Sequence, residues 1–206
     1  MGLTAFPNGI SSFGVPVIGA GQIPTTTASY WFVSSGAGSD SNDGKTPSSA
    51  FATLDYAIGK CTADLGDVIV LMPGHAETIS GATSVICDVA GVTIVGLGYG
   101  NARPTFSFSA VGSYIPISAA NVTIQNIITK PSVDEVVKLF YITGAGVTLD
   151  TVDYQSVSTY STLQFVLTTN AADQLTIQNC YHYQLTAGGS TQKWIQLVGT
   201  DSTRIW

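Results

Sequence analysis

Few side chains of this sequence could do chemistry, and they are scattered along the chain. His75 and Glu77, separated by Ala76, match the first half of a zinc deaminase signature. The Pro-Cys-x-x-Cys half is missing, so a zinc ion there would lack ligands. His75 follows the turn residues Pro73 and Gly74, and we expect it to cap that turn or to lie at a subunit contact.

Oxygen and sulfur ligands do not assemble into a metal site either. Asp40, Asn42, Asp43 and Gly44 are closely spaced, but the glutamate that completes a calcium-binding loop is absent, which favours a structural turn. The three cysteines, at positions 61, 87 and 180, lack metal-type spacing and are an odd number. We therefore predict no metal ion, no other cofactor, and buried thiols in a protein made in a reducing cytosol.

The acidic and basic residues show no pattern typical of polysaccharide cleavage. That chemistry needs two carboxylates aimed into one groove, or a basic residue beside a bound uronate. Asp134-Glu135 and the pair Asp150 and Asp153 are close acidic pairs, but the first pair falls in an apparent turn. The two arginines, Arg103 and Arg204, are interpreted as surface residues in a turn or at an edge. The sequence thus predicts no catalytic residue and no enzyme.

One group of aromatic residues could bind a ligand. His182 lies between Tyr181 and Tyr183, and Tyr160 and Trp194 lie near them in the sequence. Such rings could stack on a sugar. A subunit interface or an exposed sheet face explains the same residues, and we favour that explanation.

Charge and hydropathy exclude two classes of partner. The 206 residues carry a net charge of -6 with only 10% charged residues, so the basic face that nucleic acid requires is lacking. The apolar fraction is 45% and the mean hydropathy +0.31, yet no run approaches the ~20 apolar residues of a membrane span. The expectation is one β-rich soluble domain that binds neither nucleic acid nor membrane.

The amino-terminal segment, from Met1 to Ser39, contains no charged side chain and no histidine. Its apolar density exceeds what a solvated linker needs, and its glycines and prolines favour an extended path. We interpret residues 1–29 as an anchoring tail, with a disordered tail, or one packed on its own domain, as the alternative. The residues expected to bind a partner are Phe6, Pro7, Ile10, Phe13, Val15, Pro16, Val17 and Ile18.

The body, residues 30–206, repeats a four-residue pattern of strand type. The repeats begin at Gly91, Asn121, Gly146 and Gln174, at similar intervals along the chain. Each has an apolar residue, a threonine and a second apolar residue in the next three positions, and alternating runs between repeats supply further strands. This predicts an all-β chain, a right-handed parallel β-helix with three short strands per coil. A β-sandwich is the alternative.

The start of the β-helix is also predicted. A short amphipathic helix over about residues 49–61 should bury Phe51, Leu54, Ile58 and Cys61 and cap the first coil. The coils then run from about residue 67 to residue 206. No Lys or Arg precedes Lys45, so the sequence shows no secretory signal, and synthesis in the host cytoplasm is expected.

Two segments resemble known bacteriophage proteins. Tyr30-Trp31-Phe32-Val33, the run Gly38 to Gly44 and Phe51-Ala52-Thr53-Leu54 resemble the first part of pectate-lyase-like β-helix proteins of phage virions. The segment from Phe6 to Val17 resembles the amino-terminal peptide of capsid-decorating phage proteins. The resemblance implies a virion protein on the outer capsid surface, a homotrimer that is bound to the major capsid protein by its tail.

The resulting functional prediction is a capsid decoration, or cement, protein that stabilises the capsid mechanically. Three tails on one trimer would act together, so that weak individual contacts give lasting attachment. A carbohydrate-binding or depolymerising tailspike-like protein is the main alternative, and its glycan platform would contain Tyr160, Tyr181, Tyr183 and Trp194. A tail-fibre or baseplate connector is a third possibility.

Overall fold

A computed structural model of the chain describes residues 11–12, 15–16, 28–156, 160–184, 193–199 and 203–205. The strands, in chain order, are β1 (Ser11–Ser12), β2 (Val15–Pro16), β3 (Tyr30–Val33), β4 (Val68–Leu71), β5 (Ala76–Ile79), β6 (Thr93–Gly96), β7 (Thr105–Phe108), β8 (Ile115–Ile117), β9 (Thr123–Pro131), β10 (Phe140–Ile142), β11 (Thr148–Ser156), β12 (Gln164–Thr168), β13 (Thr176–Gln178), β14 (Tyr181–Gln184), β15 (Lys193–Gln196) and β16 (Arg204–Ile205). The helical segments are a 3₁₀ turn at Pro47–Ser49, α1 at Leu54–Ile58 and a 3₁₀ turn at Gly100–Ala102.

The strands from β3 onward stack in parallel on three faces of a prism. The first face contains β3, β4, β6, the first parts of β9 and β11, β13 and β16; the second contains β5, β7, the second parts of β9 and β11, and β14; the third contains β8, β10, β12 and β15. Only the β1–β2 pair is antiparallel among the described strands. The parallel β-helix is therefore confirmed, and the sandwich alternative is wrong.

The repeated pattern forms the interior of the first face. Its two apolar columns are buried, and its threonines are half-buried on the outer side. The register is the one that the repeats predict, because Thr148 pairs with Thr123 below it and with Thr176 above it. Each fully buried aliphatic side chain contributes about 1.5–3 kcal/mol. The columns are Val92, Val122, Val147 and Leu175, and Ile94, Ile124, Leu149 and Ile177.

The first residue of each repeat turns the chain at a corner of the prism. Gly91, Asn121, Gly146 and Gln174 have φ angles of 74°, 57°, 69° and 57°, in the left-handed region. Glycine enters this region freely and asparagine more easily than most residues. This conformation redirects the chain from the third face to the first, which explains why glycine and asparagine recur at this position.

A second left-handed corner separates the first and second faces. Asn126, Thr151 and Asn179 have φ angles of 58°, 54° and 53°. The Asn126 side chain donates from Nδ2 to the carbonyl oxygen of Gly96 at 2.7 Å, so it ties its coil to the one below. Thr151 is β-branched and strained in this region, and its hydroxyl donates to Asp150 Oδ1 at 3.0 Å.

One position of the repeat departs from the column that the sequence suggests. Ile127 and Val152 are buried at the start of the second face, whereas Leu97, the aligned residue one coil below, is 40% exposed. The chain leaves the regular coil there and forms an insertion over residues 97–104, which contains a 3₁₀ turn. The longest interval between repeats, from Gly91 to Asn121, results from this insertion.

The amino-terminal helix is shorter than the sequence suggests. The α-helix covers Leu54–Ile58 only, because Ala50 and Thr53 have extended backbone angles. Phe51 is buried in an extended segment and pairs with Val33 in a parallel bridge. The spacing of apolar residues identified the buried side chains but not the conformation between residues 50 and 53.

The coils begin earlier than the expected residue 67. Strand β3 pairs in parallel with β4 through all four of its residues, from Tyr30 opposite Val68 to Val33 opposite Leu71. The lowest rung of the first face is therefore formed by residues 30–33, and α1 packs against this rung and the next.

Candidate functional site

The insertion over residues 97–104 forms one wall of a groove at the corner between the first and second faces. The cavity has a volume of about 330 Å³. We call it the corner groove. Its lining residues are Tyr99, Gly100, Arg103, Asn126, Thr151, Asp153, Tyr181 and Tyr183.

An ion pair lies in this groove. Arg103 Nη2 donates to Asp153 Oδ2, and the two side chains are only 12% and 5% exposed. Asp153 points outward from β11, between Ile128 of β9 and Tyr181 of β14. Arg103 follows the 3₁₀ turn, and its Nε donates to the carbonyl oxygen of Gly100 at 3.3 Å. Arg103 does lie next to a turn, as expected, but it is not a plain surface residue, because it joins the insertion to β11.

Three exposed tyrosines surround the ion pair. Tyr181 and Tyr183 are alternate residues of β14, are 56% and 48% exposed, and have ring centroids 6.0 Å apart. Tyr99 is 93% exposed on the opposite wall, in the insertion. Aromatic faces next to charged hydrogen-bonding groups suit a ligand that has both apolar C–H faces and hydroxyls. Sugars have this combination.

The acidic pair Asp150 and Asp153 is separated by the corner between the first and second faces. Asp150 lies on the first face and accepts hydrogen bonds from Gln125 Nε2 at 3.1 Å, Thr151 Oγ1 at 3.0 Å and Asn179 Nδ2 at 3.0 Å. Asp153 lies on the second face and lines the groove, whereas Asp150 does not. Within the described residues, the two carboxylates therefore do not face one gap as a matched pair.

An apolar groove continues from the same corner along the first face. Its volume is about 540 Å³, and it shares Asn126 and Thr151 with the corner groove. The other lining residues are mainly apolar, which makes it a surface for a ligand with an extended, weakly polar side. They are Tyr30, Phe32, Val70, Val95, Gly96, Leu97 and Gln125.

The aromatic residues that the sequence analysis grouped together do not all lie in the corner groove. Tyr181 and Tyr183 line the corner groove, whereas His182 stacks on Tyr154 of the core, with centroids 4.6 Å apart and planes at 22°. Trp194 stacks on Phe165 at 4.3 Å. Burial lowers the pKa of His182, and its Nε2 lies 2.8 Å from Ser156 Oγ.

Tyr160, the remaining member of that predicted group, is 39% exposed and does not line the corner groove. Strand alternation accounts for the split of the others, since residues 181 and 183 share one side and residue 182 has the other. The platform proposed from sequence is therefore reduced to Tyr181 and Tyr183. Tyr99, which no sequence pattern singled out, joins them from the insertion.

His75 is buried and Glu77 is half-buried at the base of the molecule, in contact with α1. His75 is 1% exposed and its Nδ1 accepts the Ser35 backbone N–H at 3.0 Å. The other ring nitrogen, Nε2, lies 2.8 Å from Glu77 Oε1. The same oxygen accepts the Leu54 N–H at 2.6 Å, at the start of α1. The pair positions the helix, and no subunit contact is needed to explain it.

The other acidic segments are structural turns. Asp40 accepts hydrogen bonds from the backbone N–H groups of Ala52 and Thr53 at 2.8 and 3.1 Å. Hydrogen bonds from Ser49 and Ser161 lower the pKa values of Asp43 and Asp134, respectively. Among the residues that the structure describes, there is no cluster of three metal-ligating side chains, and no helix has the length and apolarity to cross a membrane.

Most of the predicted anchor residues lie outside the described part of the chain. These are Phe6, Pro7, Ile10, Phe13, Val17 and Ile18. Val15 and Pro16 form β2, which pairs with β1. The assignment of the tail as an anchor stays a prediction, as do the major capsid protein as partner, the homotrimer and the location on the virion.

Comparisons with known proteins show the fold but no family. No family model and no curated protein matches this sequence. A solved structure of a rhamnogalacturonan lyase superposes with a TM-score of 0.50 at 12% identity, over 87% of this chain and 63% of the lyase. The chain thus spans less than two thirds of that lyase. The likeness supports the pectate-lyase-like β-helix and gives no support for capsid decoration.

The same comparison corrects the prediction that the chain is not an enzyme. A protein with this fold is a lyase, so the fold gives no ground for excluding catalysis. That prediction depended on the absence of paired carboxylates and on the interpretation of Arg103 as a plain surface residue. The structure places Arg103, a carboxylate and three tyrosines in one groove.

Proposed function

We propose that the corner groove binds a polysaccharide chain. The observation that carries this proposal is the convergence of Tyr99, Tyr181 and Tyr183 on the ion pair of Arg103 and Asp153. The rings offer flat apolar faces for the C–H groups of a sugar ring. Beyond the ion pair, the guanidinium has further N–H donors and the carboxylate has further lone pairs for sugar hydroxyls.

The groove also has the shape that a chain ligand needs. The corner groove and the apolar groove meet at Asn126 and Thr151, so the recess extends along the wall of the prism beyond a single sugar site. The fold likeness to a rhamnogalacturonan lyase supports the ligand class, since that protein acts on a polysaccharide. At 12% identity this support is limited to the class of ligand.

Substitution of Tyr181 tests the proposal. We expect Tyr181→Ala to weaken binding to a polysaccharide that the wild-type chain binds by about tenfold, or 1.4 kcal/mol, because one stacking face is lost. Affinity electrophoresis or calorimetry would measure the change. Tyr160→Ala is the matched control, since Tyr160 is an exposed tyrosine outside the groove. Equal loss in both variants would contradict the proposed site.

The same samples distinguish binding from cleavage. Incubation of the polysaccharide with the wild-type chain, followed by assay of new reducing ends and of unsaturated sugar products, separates hydrolysis, elimination and binding alone. An elimination takes place only at a uronate unit, whose carboxylate makes the adjacent C–H acidic, and it also needs a base and a cation that stabilises the developing charge. Among the described residues that line this groove, Arg103 is the cation, and the Asp153 carboxylate and the tyrosine hydroxyls are the groups that can transfer a proton.

We also propose, from the sequence, that residues 2–29 attach the protein to a phage capsid through the major capsid protein. The support is the absence of charge and the apolar density of residues 1–39. Deletion of residues 2–29 is expected to abolish capsid binding and to leave polysaccharide binding intact. Sedimentation with capsids measures the first property. Absence of the protein from purified virions, by mass spectrometry, would contradict this proposal and leave the groove proposal unaffected.

A further inference from the structure

We propose that the ligand of the corner groove is a neutral polysaccharide and not a polyuronate. This inference rests on the function proposed above and specifies its substrate class. It comes from the charges in and beside the groove, which include both signs.

The charges inside the groove balance each other. Among the described residues that line the groove, Arg103 and Asp153 are the charged ones, and they pair with each other. A sugar carboxylate placed against Arg103 would also approach the carboxylate of Asp153, and like charges at short range repel. The Asp153 carboxylate therefore cancels most of the attraction that an unpaired arginine would exert on a uronate.

The charges beside the groove are also of both signs. Asp150 precedes Thr151 on β11, lies on the first face and accepts three hydrogen bonds. Lys130 is exposed on the second face, two residues beyond Ile128, which is opposite Asp153. These two residues are the flanking charges that β9 and β11 place nearest the site, and their charges are opposite. A row of uronates would need an excess of positive charge, which the described residues of this wall do not provide.

The hydrogen-bonding pattern of the ion pair suits a hydroxyl instead. A guanidinium only donates and a carboxylate only accepts, whereas a sugar hydroxyl does both. Adjacent hydroxyls of one ring can therefore accept from Arg103 and donate to Asp153 at the same time. Hydrogen bonds to charged groups are stronger than hydrogen bonds between neutral groups. The ion pair can therefore recognise the positions of sugar hydroxyls without favouring a charged sugar.

The net negative charge of the whole chain also disfavours the binding of a polyuronate. The chain carries a net charge of -6 and has a pI near 4.5. A polyanion approaching such a surface is repelled over about one Debye length, which is about 8 Å at physiological ionic strength. A neutral polysaccharide experiences no such barrier.

Matched oligosaccharides test the inference. Neutral oligomers of glucose, galactose and mannose are compared with the corresponding uronate oligomers of equal length, by calorimetry with the wild-type chain. We expect at least one neutral oligomer to bind ten or more times more tightly than its uronate counterpart. Binding of a uronate as tightly as its neutral counterpart, or more tightly, would overturn the inference and leave the proposed function standing. Binding of neither class would overturn the proposed function itself.

A charge variant gives an independent measurement. Asp153→Asn keeps the shape of the side chain and leaves the Arg103 charge uncompensated, so uronate affinity should rise at least tenfold and fall again with added salt. Asp134→Asn is the control, because it makes the same change in net charge at an exposed turn away from the groove. An equal rise in both variants, or no rise in Asp153→Asn, would overturn the inference. If Asp153→Asn does not fold, the wild-type comparison decides.

Discussion

Replacing Leu149 with alanine is expected to lower the free energy of unfolding by about 2–5 kcal/mol, as for other buried leucines. Leu149 is fully buried in the second apolar column, between Ile124 and Ile177 of the neighbouring coils. The smaller side chain would leave a cavity bounded by β-strands whose backbones are fixed by ladders on both sides, so little collapse is possible. Denaturant-induced unfolding would measure the change.

The neighbouring residue provides the control. Thr148 belongs to the same strand, is paired in the same way, and points outward. Thr148→Ala should change the free energy of unfolding by well under half as much as Leu149→Ala. If the two variants lose equal stability, the assignment of the inner and outer sides of the first face is wrong.

Replacing Arg103 with methionine is expected to cost about 3 kcal/mol, the lower end of the range for breaking a buried ion pair. Methionine keeps part of the apolar stem but leaves the Asp153 carboxylate, 5% exposed, without its cation. The groove admits some water on the arginine side, where exposure is 12%, and we therefore expect the lower end. Chemical denaturation and binding measurements on the same sample would report both effects.

A double-mutant cycle identifies the cause of this loss. Arg103→Met combined with Asp153→Asn leaves no uncompensated charge, so the double variant should recover a large part of the stability that Arg103→Met loses. Strict additivity of the two single variants would show that the ion pair does not couple the insertion to β11. In that case the ion pair would not be what fixes the position of the insertion beside β11.

The repeated strands could be predicted because their signal is local and periodic. Each repeat places a buried, an outward and a buried residue in order after a corner residue, and Val147, Thr148 and Leu149 illustrate this in three consecutive positions. The extent of the amino-terminal helix was harder to predict from the sequence. Phe51 satisfied a helical spacing, yet its backbone pairs with Val33, since tertiary packing outweighed local preference.

The groove could not be predicted as a unit because its parts come from different coils. Arg103 lies in the insertion, Asp153 lies on β11, and Tyr181 is one coil further on. Their meeting depends on the register between coils, which the repeat spacing gives only for the first face. A usable signal was present: strand alternation separates Tyr181 and Tyr183 from His182. The unusual length of the coil that contains Arg103 was a second one.

The left-handed corners have a consequence for how this architecture can change. Asn121, Gly146 and Gln174 restart the first face at a fixed point in every turn, whatever length of chain precedes them. An added segment before such a corner is thus absorbed where it occurs, and the rungs above keep their alignment. The insertion that contains Tyr99 and Arg103 is one such segment. A single coil of this fold can therefore gain an insertion that forms one wall of a binding groove, while the buried columns of the interior stay unchanged.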